Sequence, residues 1–182
     1  MMTKELYRIA AVISAIFLSA CASTHPAPDQ AEVEIKYYGP NNDLNPLANH
    51  FVGRIYIQPP SELPTVLNQR PMHAIVCNDA HTECKHAITL DTMRIKITTL
   101  EDGQLKLKGS IESQIGRRVR LDTPTGSFED TIPNGIQILD EGTITSPFDR
   151  TVKLGDTFML SGAQGSHFEF SINPATHIFT PK

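Results

Sequence analysis

Short runs in which apolar and polar residues alternate recur along the chain from Glu32 onward. Val33, Ile35 and Tyr37 alternate with Glu34 and Lys36, and Ile55 and Ile57 flank Tyr56. Met93, Ile95 and Ile97 alternate with Arg94 and Lys96. Leu105 and Leu107 alternate with Lys106 and Lys108, and Ile111 keeps the same parity. Val119 and Leu121 alternate with Arg118 and Arg120, while Phe158 and Leu160 flank Met159, and Phe168 and Phe170 flank Glu169. A period of two with one wet face predicts antiparallel strands. Turn signals separate the runs, among them Glu101-Asp102-Gly103, Pro124-Thr125-Gly126, Pro133-Asn134-Gly135 and Gly155-Asp156. Ser61 to Asn68 is expected to form at most a turn or two of helix, with Ser61 as cap and Pro64 limiting it. Roughly nine or ten strands predict an all-β, antiparallel β-sandwich or small barrel. One such domain accounts for residues 32–182.

The first twenty residues break this pattern. Lys4 and Arg8 precede an apolar run, Ile9 to Ala20, interrupted only by Ser14 and Ser19. As a helix it would span roughly 18 Å, against about 30 Å of bilayer hydrocarbon. That is the size of a signal-peptide apolar region. At its end, Leu18-Ser19-Ala20-Cys21 resembles the lipobox of bacterial lipoproteins. The resemblance covers residues 1–21 and implies that the Cys21 thiol receives a diacylglyceryl group. It further implies cleavage before Cys21 and acylation of the new amine, palmitate being the expected chain. Two or more acyl chains anchor stably where one does not. In Gram-negative lipoproteins an Asp after the cysteine tends to retain the protein at the inner membrane. Ala22 stands there, which implies the outer membrane if the cell is Gram-negative. Residues 1–20 are then a cleaved address. Residues 21–31, with Pro26 and Pro28, are an extended tether reaching at most about 35 Å.

Composition adds the cysteine count. Among 182 residues there are three Cys, an odd number. With Cys21 taken by lipid, Cys77 and Cys84 remain, in an oxidising compartment. They flank the polar turn Asn78–Glu83, between the runs Met72–Val76 and His86–Leu90. A hairpin would set the two cysteines opposite each other, within disulfide range. Closing so short a loop stabilises by roughly 2.5 kcal/mol on the chain-entropy model. The competing expectation is a periplasmic metal site built from His73, Cys77, His81, Cys84 and His86, since zinc and copper both use imidazole and thiolate. Oxidised cysteines cannot serve as thiolate ligands.

The formal charge of −4 argues against a nucleic-acid binder. Charge is unevenly spread. Residues 93–120 carry seven basic and three acidic side chains. Six of the bases, Arg94, Lys96, Lys106, Lys108, Arg118 and Arg120, lie opposite the apolar parity of their runs. If the three strands form a meander, these six share one exposed face. Such a face suits anionic lipid, lipopolysaccharide phosphates or an acidic envelope protein. It is also what a solvated strand face looks like.

No G-x-S-x-G, phosphate loop, H-E-x-x-H or dinucleotide fingerprint occurs. Ser166 and His167 are adjacent, so a strand would point them to opposite faces. No cofactor is expected. The expected function is a membrane-anchored lipoprotein with a non-catalytic binding, scaffolding or envelope-assembly role. A small cell-envelope hydrolase with a site assembled across strands is a further alternative.

Overall fold

The computed structural model describes residues 31–45, 51–61 and 63–175. The expected signal peptide, Cys21 and the tether as far as residue 30 lie outside the described residues. Those described hold eleven strands and no helix. In chain order these are β1 (Ala31–Tyr38), β2 (Phe51–Ile57), β3 (Thr65–Asn68), β4 (Met72–Cys77), β5 (Cys84–Thr99) and β6 (Leu105–Gly116). There follow β7 (Arg118–Thr123), β8 (Gly126–Thr131), β9 (Gly142–Val152), β10 (Thr157–Ser161) and β11 (His167–Pro174).

A four-stranded sheet runs β10-β11-β1-β2. A five-stranded sheet runs β3-β5-β6-β9, with β4 also on β5. The long β5 takes β4 along its first half and β3 along its second, both antiparallel. β7 and β8 form a separate two-stranded ribbon. The two large sheets are antiparallel and lie face to face as a sandwich, not as a closed barrel.

The alternation in the sequence explains the core. Val33, Ile35 and Tyr37 of β1 and Phe168, Phe170 and Ile172 of β11 are all buried. They meet Met93, Ile95 and Ile97 of β5 and Leu105, Leu107 and Ile111 of β6 in one cluster. Phe158 stacks on Phe170 at 4.5 Å, closing the cluster on the β10 side. Each large side chain fully buried here is worth about 1.5–3 kcal/mol of transfer free energy. Gly109 is required by this packing: a methyl group there would collide with the Arg94 carbonyl and the Phe148 ring.

Over residues 87–91 β5 is buried on both faces because both are covered. One face, through Ala87, packs with Ala74, Ile115 and Ala163. The other, through Ile88 and Leu90, lies under Val119 and Ile132, with Leu121, Ile136 and Ile138 around them. The β7–β8 ribbon and the segment after it therefore roof the outer face of the five-stranded sheet over the first half of β5 alone.

Two expectations are corrected. The helical turn expected within 61–68 is instead edge strand β3 over Thr65–Asn68, which pairs with Thr92–Ile95. A ladder partner offers each residue hydrogen bonds that a single turn beside Pro64 cannot. The three basic runs do not form a meander: β5 and β6 pair, but β7 leaves the sheet to pair with β8. β9 takes the place beside β6 instead.

Candidate functional site

Cys77 and Cys84 face each other across the β4–β5 ladder with Cα atoms 4.0 Å apart. Their sulfurs are bonded at 2.05 Å. The hairpin is capped by Asn78, whose side chain accepts from the Thr82 amide at 2.9 Å. Its free end is tied to the chain before β2, the Cys77 amide donating to Asp43 at 2.7 Å.

The metal-site expectation is not met. The thiolates it needs are joined to each other. His81 sits exposed in the turn with φ of 52°, away from the strand faces. His73 and His86 do come together on the disulfide's face, ring centroids 5.5 Å apart and edge to face. No group of three or more His, Cys, Asp or Glu able to hold a metal occurs among the described residues. Burial, and secondarily His73, hold the His86 imidazole below its usual pKa. Its Nδ1 is buried without a hydrogen-bond partner among the described residues.

The six bases separate into two groups. Arg118 and Arg120 lie on β7, on the side of the ribbon away from Val119 and Leu121, and each has an acid. Arg118 pairs with Glu129 at 2.8 Å, a bond that raises the guanidinium's pKa, and Arg120 pairs with Asp122 at 2.8 Å. The other four lie on the uncovered half of the outer sheet face. Lys96 is directly opposite Lys108, with Arg94 opposite Ser110 and Lys106 opposite Thr98. Lys106 reaches Asp149 of β9 at 3.5 Å. Arg94, Lys96 and Lys108 are exposed and have no ion-pair partner among the described residues. The outer face of the other sheet differs. There Lys36 lies 3.3 Å from Glu169 and 3.8 Å from Glu34, and Arg54 lies 3.4 Å from Glu34.

One buried polar cluster was not anticipated from the pattern. Asp91 of β5 is fully buried between the sheets. The Tyr37 hydroxyl donates to it at 2.9 Å, and the Ser113 and Ser166 hydroxyls bond to it as well. Burial first, and the Asp91 charge next, push the Tyr37 phenol above its ordinary range. Asp91 shares the inward parity of Met93 and Ile95, so a lone acid on an apolar face was the signal. His167 points away from Ser166 and stacks on Tyr38 at 4.6 Å. A cleft of about 280 Å³ opens where β2 and β3 part, lined by Ile35, Tyr37, Arg54, Ile55, Leu67 and Phe168 among others.

No protein-family model matches the chain, and no curated protein sequence matches it. Among solved structures it is similar to the secretin InvG of the Salmonella SPI-1 type III secretion injectisome (residues 176 to the end, open gate state). The TM-score is 0.38 at 10% identity, over 100% of this chain and 68% of that one. A likeness this slight carries no argument about fold or function.

Proposed function

We propose that the protein is a lipid-anchored lipoprotein of the bacterial outer membrane. Its β-sandwich serves as a non-catalytic binding or scaffolding module of the cell envelope. The observation that carries this reading is the Leu18-Ser19-Ala20-Cys21 box at the end of an apolar run of signal-peptide length. The fold is compatible with it. Strand β1 begins at Ala31, leaving only residues 22–30 between the cysteine and the sandwich. Ala31 pairs with Pro174 at one end of the four-stranded sheet. A chain held at Cys21 therefore keeps that end of the sandwich near the bilayer. The Cys77–Cys84 disulfide fits an exported protein.

The test is the mass of the N-terminal peptide from protein extracted out of membranes. A diacylglyceryl-modified and acylated Cys21 is expected, with Cys21→Ala released from the membrane fraction or left unprocessed. A free thiol at Cys21 in the mature protein overturns the reading.

A further inference from the structure

We infer that the uncovered half of the outer sheet face, centred on Lys96 and Lys108, is a docking surface for anionic phospholipid headgroups. The inference rests on the lipid-anchored reading. Four observations lead to it.

The first is a local conflict. Lys96 and Lys108 are direct cross-strand neighbours, and like charges so placed destabilise a sheet. Arg94 and Lys106 flank them at the diagonal positions. Among the described residues Asp149 is the acid that pairs with one of the four, Lys106 at 3.5 Å, and it also stands opposite Lys108 on β9. An anion bound between Lys96 and Lys108 would relieve this repulsion.

The second is contrast within the molecule. On the outer face of the four-stranded sheet Lys36 and Arg54 both have carboxylates within reach. On the uncovered half-face of the five-stranded sheet Arg94, Lys96 and Lys108 have no ion pair among the described residues, so unpaired charge is gathered on that sheet and not on the other. The third is access. The β7–β8 ribbon packs over Ile88 and Leu90, whereas Arg94, Lys96 and Lys108 beyond it are exposed on two neighbouring strands. Charges on one face of adjacent strands can meet a plane of phosphates together.

The fourth is position. The Ser61 amide bonds to the Ile97 carbonyl at 3.1 Å, just beyond the end of β2, where Ile57 pairs with Val33. Val33 also pairs with Ile172, whose backbone binds Gly155 and Asp156, just after Val152, the partner of Leu105. Ala31, Ile97 and Leu105 therefore lie at the same end of the sandwich. Lys96 and Lys106 sit next to that end, on the side of the molecule that a tether from Cys21 brings to the membrane. Glu101 and Asp102, at the tip of the β5–β6 turn, oppose an end-on approach and favour contact through the face.

The test uses the lipidated mature protein reconstituted in vesicles. Its lysines are labelled with acetic anhydride, an uncharged reagent, and read one by one by mass spectrometry. With about a third phosphatidylglycerol, Lys96, Lys106 and Lys108 should label about fivefold more slowly than in phosphatidylcholine alone, and roughly 0.5 M salt should erase the difference. Lys85, at the far end of β5, is the internal reference. In a protein carrying both Lys96→Glu and Lys108→Glu, Lys106 should lose its protection. Equal labelling in both vesicles overturns the inference, and so does protection of Lys106 that survives the double substitution. Protection in native envelopes but not in phosphatidylglycerol vesicles overturns it in favour of an acidic protein partner. The same spectra report Cys21. A lipidated Cys21 with unprotected lysines defeats the docking face alone, whereas an unmodified Cys21 defeats the anchor and the inference with it.

Discussion

Asp91 is the residue on which the two sheets agree. Its carboxylate gathers Tyr37 from β1, Ser113 from β6 and Ser166 from the turn before β11, so one side chain ties three elements to β5. Gly162 lets this happen, since a methyl group there would meet both Asp91 and Ser166. Removing the acceptor strands the Tyr37 and Ser113 hydroxyls, each costing about 1–3 kcal/mol when unpaired, whereas the Ser166 hydroxyl keeps the Ala163 carbonyl at 2.8 Å. Asp91→Ala is therefore expected to lower stability by at least about 2 kcal/mol, and Asp91→Asn by less because it still accepts. Urea unfolding checks this: the midpoint should fall with the slope unchanged. His86 makes a second residue-scale prediction. Burial and then His73 lower its folded pKa from 6.5, so the unfolded chain takes up that proton first as pH falls. Its contribution is complete above about pH 6.5 and is lost as pH drops below that toward the folded value. The thermal midpoint should fall between about pH 7.5 and 5.5. His86→Gln should flatten that dependence, and an equal slope in both proteins would refute the assignment.

At the scale of elements, alternation made the core strands readable. β1, β5, β6 and β11 each bury one face against the opposite sheet, so burial wrote a period of two into Val33–Tyr37, Met93–Ile97, Leu105–Ile111 and Phe168–Ile172. The β4–β5 hairpin was readable for a different reason, because a polar turn between two cysteines fixes its register. Strands β8 and β9 left no such mark, although the edge strands β2 and β10 did. Every residue of β8 is exposed, and β9 is exposed nearly throughout, so neither face had to be apolar. Pro147 in the middle of β9 suits an edge, where a missing amide costs no ladder bond on the open side and discourages further strand addition. The pairing partner of β7 was not readable at all, since parity says which way a side chain points and nothing about which strand lies beside it. The disulfide gives this scale its prediction. Replacing Cys77 and Cys84 together by Ser should cost roughly 2.5 kcal/mol on the loop-entropy model. The loss should appear as faster amide exchange in β4 and the first half of β5, with β6 and β11 less affected. Uniform loss of protection would show that the hairpin and sandwich unfold as one unit.

Across the whole molecule, stability and the basic face pull in opposite directions. The outer face of one sheet is a settled network of Glu34, Lys36, Arg54 and Glu169, whereas the other carries Lys96 against Lys108 with no acid between them. If the sandwich were optimised only to fold, this pair would be the first to change. Lys96→Glu sets a carboxylate opposite Lys108. The pairing of β3 with β5 ends at Thr65 and Ile95, so the new charge has no strand residue on its other side. Lys108→Glu is the worse exchange, because Lys108 is also opposite Asp149. Lys96→Glu is therefore expected to raise the thermal midpoint by about 1–3 °C at low salt. The gain should shrink as salt screens the pair. The unchanged protein should itself become more stable as salt rises from low values. The same substitution should weaken protection of the face on phosphatidylglycerol vesicles. A variant that is both more stable and less well bound would show that the repulsion is kept for a ligand. One that is more stable and equally bound would show that the pair serves only solubility, and a midpoint that falls would mean that Lys96 and Lys108 do not repel in the free protein.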